Sequence, residues 1–244
     1  MASPYLNLSQ VNIQEDSQVA DVTLEQLEAL KDIPTPAIAN AIETFNIIPR
    51  NKGFMGPDIS AIFPDMGNMI GHAVTGVIRA DAPPSAHMNV SRVEWVDEIL
   101  SIPAPRVIVL QDLDWPNPIG SFWGEVQANI HSALECVGTV TNGGVRDLDE
   151  MQDKNFFAFA SAILVSHAYV HITDVNVPVN IGGLEVNPGD IIQGDKHGVI
   201  KIPPEIAGEL PDAVKRVEER EQILIGLANQ PDFTPEKLKE ILEK

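Results

Sequence analysis

A chain of 244 residues, 44% of them hydrophobic, can build a sizeable core as one large domain or two small ones. Its single cysteine, Cys136, excludes an intramolecular disulfide and fits a reducing cytoplasm. A formal net charge of −19 argues against nucleic acid and anionic membranes as partners, and means that an anionic substrate needs a local positive focus.

Residues 1–22 are polar and are expected to form an arm, without the basic start or apolar run of a secretory signal. Thr23, with Gln26 three residues on, predicts a capped helix whose stripe is Leu24, Leu27 and Leu30 and which ends at Ile33-Pro34. Thr35-Pro36 reads as an N-cap followed by proline at the first helical position. Ile38, Ala41, Ile42 and Phe45 make that second helix amphipathic. Residues 51–67 are loop-rich, and residues 69–80 read as a strand. Residues 90–102 have a helical pattern with Val93, Val96, Ile99 and Leu100 on one face. Residues 106–110 form a short continuous apolar run, as in a strand buried in a parallel sheet, and 111–122 a loop.

Residues 125–135 are helical in pattern, with Val126, Ile130 and Leu134 at i, i+4 and i+8, and 137–141 are the next strand. A short helix over 148–154 follows, then a β-rich run over 156–172 with a break near Ser161. The longest apolar stretch, 156–165, is too short to span a bilayer. Residues 176–202 alternate strands with turns. Pro203-Pro204-Glu205 opens a helix running to about Leu227, and 232–244 form a last short one. No repeat interrupts this order, so 23–244 read as a single α/β domain with helical ends.

The segment Thr141-Asn142-Gly143-Gly144-Val145-Arg146-Asp147 stands out. Asn-Gly-Gly ends an apolar strand and tolerates left-handed backbone. Arg146 is a planar, permanently charged fork for a carboxylate, and Asp147 a hard oxygen ligand for Mg²⁺ or Mn²⁺. Between strand 106–110 and strand 137–141 the helix rises roughly 18 Å. The second strand returns roughly 17 Å. Glu125 and Arg146-Asp147 therefore meet at the carboxyl ends of two parallel strands, where open α/β sheets place ligands. The free N–H groups of Gly124, Glu125, Val126 and Gln127 would suit an anion. A turn salt bridge beside a helix-start charge would use the same residues.

The order Glu125-x20-Arg146-Asp147, within Trp123-Gly124-Glu125 and Asn142-Gly143-Gly144-Val145-Arg146-Asp147, resembles the Asp-x20-Arg-Asp signature of the 4-hydroxy-4-methyl-2-oxoglutarate aldolase family, which includes the RraA-like proteins. Pro34–Ala41, Ile70–Thr75, Pro178–Gly183, Pro188–Asp190 and Asp195–Val199 resemble further motifs of that family in the same order. The resemblance implies an α/β/α layered domain of the swivelling type, assembled as a homotrimer or a dimer of trimers. It implies Mg²⁺ (or Mn²⁺) held directly by Asp147, and through water by Glu125 and by Glu221 (or Glu218) of a neighbouring chain. Arg146 and the backbone of Gly124 to Gln127 would hold a pyruvate-like 2-oxo acid. Glu125, Asn40 and Gln127 depart from the usual residues.

The reaction so implied is metal-dependent retro-aldol cleavage of a 4-hydroxy-2-oxo acid to pyruvate, with oxaloacetate decarboxylation through the same enolate. Glu125, Arg146 and Asp147 would be the catalytic residues. A Schiff-base route would need a buried lysine, for which Lys201 is the nearest candidate. His167 and His171 have a spacing that could share a face and bind metal, but no third ligand stands out. The alternative function is a non-catalytic RraA-type regulator that binds a partner protein such as a ribonuclease.

Overall fold

The computed structural model describes residues 22–85 and 90–243, so residues 1–21 of the expected arm and His87 lie outside it. The chain opens with α1 (Leu24–Lys31), which begins with a capping box: Thr23 Oγ1 accepts from Gln26 N, and the Gln26 side chain accepts from Thr23 N. Next comes α2 (Thr35–Glu43). The expected Thr35 cap is corrected here: Pro34 holds the cap position and Thr35 is the first helical residue. Its hydroxyl turns instead to Asp195, 160 positions away, donating to Oδ1 at 2.7 Å while its N–H donates to Oδ2 at 2.8 Å. The local pattern carried no sign of so distant a carboxylate.

The strands follow, interleaved with short helices. They are β1 (Ser60–Ala61), β2 (Met69–Arg79), α3 (Arg92–Ser101), β3 (Arg106–Asp112), α4 (Glu125–Ala133) and β4 (Cys136–Thr141). After these come β5 (Gly144–Val145), α5 (Leu148–Asp153), β6 (Phe157–Ala160), β7 (Ala162–Ile163) and β8 (His171–Val175). The antiparallel hairpin β9 (Val179–Ile181) and β10 (Leu184–Val186) precedes a second hairpin, β11 (Ile191–Asp195) and β12 (Gly198–Ile202). The expected long helix from Pro203 is also corrected. Pro204–Ile206 form one 3-10 turn, and α6 (Leu210–Ala228) starts later, with Pro211 in its first turn. Last is α7 (Pro235–Leu242), capped by Thr234.

Strands β2, β3, β4 and β6 run parallel in the main sheet, ordered β1-β6-β4-β3-β2-β11-β12. The outer edge of β2 is shared: β11 pairs with its first half and β8 with its second, both antiparallel. The sheet curls until β12 approaches β1 and is nearly closed. Inside the curl Met69, Ala73, Val107, Val109, Val140, Phe159 and Ile192 form one apolar core. Outside it, Val74, Ile108 and Leu110 pack with Trp95, Ile99, Trp123 and Ala128 beneath α3, α4 and α5. A third cluster joins Ile191, Ile200 and Ile202 to α1, α2 and α6. Strand β3 thus buries Val107 and Val109 on one side and Ile108 and Leu110 on the other, which is why it reads as an unbroken apolar run. No described helix is long and apolar enough to cross a membrane.

Two helices turn differently from their apolar pattern. In α3 the inward residues are Trp95 and Ile99, while Val93 and Leu100 are exposed. In α4 they are Ala128 and His131, while Val126 and Ile130 are exposed. Periodicity identifies a stripe but not what it faces, and in α4 the stripe lines a cleft.

Asp195 links the β11–β12 hairpin to α2. Besides Thr35, it receives His197 N–H at 2.8 Å, and the His197 ring lies 3.2 Å away. Burial alone would raise its pKa, but the bonds from Thr35 and His197 outweigh this and hold it below the usual carboxylate range. Asp195→Ala is expected to cost about 3 kcal/mol, because the Thr35 and His197 donors are left unpaired. Urea unfolding of both proteins measures this loss.

Candidate active site

Strand β4 ends with Thr141 opposite Leu110, two residues before the end of β3. The turn beyond β4 is fastened to the end of β3 by Asn142. Its Oδ1 accepts from Asp112 N at 2.6 Å, and its Nδ2 donates to Asp112 O at 3.0 Å. Thr141 Oγ1 accepts from Gly143 N at 2.9 Å, and the Ser161 hydroxyl donates to the carbonyls of Asn142 and Gly143. The chain then runs beside the entry to α4. Trp123 bridges Val145 in parallel, Arg146 N donates to Trp123 O at 3.2 Å, and Ser121 Oγ serves the carbonyls of both Trp123 and Gly144. Residues 121–125 and 143–147 are thereby zipped together.

At the end of that zipper lie Arg146, Asp147 and the backbone of Glu125, three residues singled out in the sequence. Asp147 adopts a left-handed backbone conformation, φ 52° and ψ 52°, which Asp tolerates better than most residues. Its Oδ2 accepts from Glu125 N at 3.1 Å, and Arg146 Nε stands 3.8 Å from the same oxygen. That distance is an ion pair without a hydrogen bond, so the guanidinium fork stays available to an incoming carboxylate. Both side chains are about one third exposed, at 35% and 34%. The Glu125 side chain is exposed. Of the backbone N–H groups at the start of α4, that of Glu125 is already taken by Asp147, which narrows the expected anion cradle to its neighbours.

Gly124 is required by space. A Cβ there would fall 2.5 Å from Asp147 Oδ2, 3.2 Å from Arg146 Cγ and 3.3 Å from Arg146 Nε. Its φ of −179° is extended, so the constraint is contact and not backbone strain. Glu221 is not gathered into this site within one chain: it lies exposed on α6, where Oε1 accepts from Asn40 Nδ2 at 3.2 Å. Glu218 is exposed on the same helix. His167 lies in the loop before β8 and His171 is its first residue, so they do not share one strand face. Lys201 Nζ is engaged by Glu185 O at 2.9 Å and Asp190 Oδ2 at 3.0 Å.

Sequence reasoning missed two buried groups beneath the site. His131 Nε2 accepts from Trp95 Nε1 at 3.0 Å, and Nδ1 lies 2.8 Å from Gln127 O. Burial pushes its pKa down to about 4, against the Gln127 bond, so the imidazole is neutral. Asp112 at the end of β3 has Oδ1 bonded by Asp114 N, while Oδ2 is buried without a partner against Gly143. Burial, with the charge of Asp114, raises its pKa to about 6 against the Asp114 backbone bond. Neither residue belongs to a local pattern, and a lone His or Asp gives no signal.

These two groups oppose each other as pH changes. Between pH 6.5 and 4 the unfolded chain takes up a proton on His131 that the folded chain refuses, so acidification removes stability there. Between pH 6 and 3.8 folded Asp112 binds its proton first, so acidification adds stability. Each contribution is about 3 kcal/mol. Asp112→Asn is therefore expected to lose stability more steeply than wild type between pH 6 and 4, by about that amount. Denaturant unfolding at stepped pH measures the difference.

Gly124, Gln127, Arg146 and Asp147 line part of an open cleft of about 720 Å³ between α3, α4 and the segment before β8. Among the described residues no group of three or more His, Cys, Asp or Glu side chains is placed to enclose a metal ion.

A family model described as RraA-like, Aldolase/RraA, matches residues 35–201. A Methanocaldococcus jannaschii protein of uncharacterised function is 33% identical over 102 residues, 41% of this chain and 49% of its own. A Halalkalibacterium halodurans protein, provisionally named a 4-hydroxy-4-methyl-2-oxoglutarate aldolase, is 32% identical over 81 residues, 33% of this chain and 39% of its own. Protein DlpA of Legionella pneumophila is 31% identical over 103 residues, 40% of this chain and 17% of its own. The matched stretch thus spans less than half the length of each of these relatives. Among solved structures, an uncharacterised Pseudomonas syringae protein superposes with a TM-score of 0.71 at 22% identity, covering 93% of this chain and 99% of its own. A Streptomyces coelicolor protein, described as an unusual member of the RNase ES inhibitor RraA family, gives 0.64 at 18%, covering 83% and 97%. Likeness at those identities concerns the fold.

Proposed function

The chain belongs to the RraA-like family, and from that premise we propose that it is a divalent-metal-dependent lyase acting on a 4-hydroxy-2-oxo acid of the 4-hydroxy-4-methyl-2-oxoglutarate type. The observation that carries this reading is the convergence of Arg146, Asp147 and the start of α4, with the arginine fork uncommitted. A binding module has no need of that set.

The donor set fits a hard cation of the Mg²⁺ or Mn²⁺ kind. Such ions are held by one or two carboxylates and keep several waters, and a protein cage is not required. Asp147 would hold the ion directly, Glu125 through water, and Glu221 of a neighbouring chain through water in a homotrimer or dimer of trimers. When bound, the ion polarises the keto oxygen of the oxo acid and offsets the charge that develops there.

The chain's own residues supply the rest. Arg146 grips the carboxylate of the oxo acid, helped by the backbone N–H groups at the start of α4, and stabilises the developing oxyanion. Glu125, through a water, accepts the proton of the C4 hydroxyl. The C3–C4 bond breaks, C4 leaves as a carbonyl, and the electron pair stays on C3 as the pyruvate enolate. Protonation at C3 completes pyruvate. Loss of CO₂ from oxaloacetate leaves the same enolate, so the site supports decarboxylation as well.

The test is pyruvate release with Mg²⁺. Chelator is expected to abolish it, and borohydride with substrate is expected to trap nothing. Covalent trapping would point to a lysine route instead. Absence of pyruvate from wild type and Arg146→Ala alike would favour a non-catalytic partner-binding role.

A further inference from the structure

We infer that the cleft beside Arg146 and Asp147 takes a 2-oxo acid whose far end is bulky, apolar and uncharged, such as an aryl group on C4, and not a second carboxylate. This rests on the lyase reading: it keeps the 4-hydroxy-2-oxo acid half of the proposed substrate and replaces the second carboxylate of the 4-hydroxy-4-methyl-2-oxoglutarate type at the far end. The cleft, at about 720 Å³, has room well beyond a pyruvyl unit and falls in the range of pockets for sizeable organic ligands. Its apolar lining includes Trp95, Phe122, Ile130, Tyr169 and Val170. Tyr169 and Ile130 are substantially exposed, at 57% and 47%, so they offer apolar surface that the chain itself leaves uncovered.

The charge inventory of the cleft points the same way. Among the described residues lining it, the groups able to carry positive charge are Arg92, Arg146, His131, His167 and His171. Arg146 serves the oxo-acid end. His131 is neutral and has both ring nitrogens engaged. His167 and His171 each set Nδ1 against a backbone carbonyl, Ala168 O at 2.7 Å and Tyr169 O at 2.8 Å. Arg92, the first residue of α3, is exposed, where solvent screens it. Among the described lining residues, a second carboxylate against Phe122 and Ile130 would lose water and find only the exposed Arg92 as a fixed positive charge besides Arg146. The chain's net charge of −19 adds to that cost, whereas an aryl group gains from burial and from stacking on the aromatic walls.

The experiment compares kcat/KM for pyruvate release from 4-hydroxy-2-oxo-4-phenylbutanoate and from 4-hydroxy-4-methyl-2-oxoglutarate, with Mg²⁺, in wild type and Ile130→Arg. Wild type is expected to prefer the phenyl substrate by at least about tenfold. Ile130→Arg, a change at a half-exposed position, is expected to move that ratio toward the dicarboxylate by at least about tenfold. Preference of wild type for the dicarboxylate would overturn the inference and leave the lyase reading standing. No pyruvate from either substrate would overturn the lyase reading and the inference with it. An unchanged ratio in Ile130→Arg, with a changed sedimentation coefficient, would mean that a second copy covers the cleft, and would also overturn the inference.

Discussion

Arg146→Ala is expected to lower kcat/KM for pyruvate release by about 10²–10³-fold, the usual cost of removing one preorganised donor to a developing oxyanion. Its stability should stay within roughly 0.5 kcal/mol of wild type, because the side chain is one third exposed and 3.8 Å from the Asp147 carboxylate. The backbone N–H of residue 146, which bonds Trp123 O, is untouched by the change. Arg146→Lys is expected to recover only part of the loss, since an ammonium keeps the charge but not the fork that grips both carboxylate oxygens. Steady-state kinetics beside urea unfolding separates these effects. A variant that loses stability and activity together would make Arg146 a structural residue.

Gly124→Ala is the second large effect, expected at about 10²-fold in activity. The new methyl would stand 2.5 Å from Asp147 Oδ2, closer than any contact can be. The backbone around it cannot yield easily: Trp123 is fully buried and bridged to Val145, and Ser121 fastens both segments. Relief must come from Asp147 and Arg146 moving aside, and displacement of catalytic groups by about 1 Å costs on this order. Because residue 124 is extended, alanine brings no backbone strain, and stability should fall by only about 1 kcal/mol. Kinetics and unfolding of the one variant measure both. Unimpaired turnover would show that the position of Asp147 does not matter to the reaction.

What could be read from the sequence follows from where its signals are local. The unbroken apolar run of β3 marks a strand buried on both sides, because Val107 and Val109 face the interior of the curl and Ile108 and Leu110 face the helices. The lengths of α4 and β4 bring Glu125 back to Asp147, as the 3.1 Å bond between them shows. The Thr23–Gln26 capping box was legible because both partners lie within one turn. Features that rest on distant partners were not. The tie from Thr35 to Asp195 bridges 160 positions, and the approach of β12 to β1 involves a strand of two residues. The outward stripe of Val126 and Ile130 followed the helical period but gave no sign that it lines a cleft. His131 and Asp112 owe their roles to burial, which no single position announces.

In the proposed reaction one site, made by the start of α4 and the turn after β4, holds a metal ion and a 2-oxo acid together. Crystals soaked with Mn²⁺ and pyruvate, with anomalous diffraction to locate the metal, test it most directly. The expected result is an anomalous peak bonded to the Asp147 carboxylate, with the carboxylate of pyruvate on the Arg146 guanidinium. A metal bound elsewhere, or pyruvate seated away from Arg146, would contradict it.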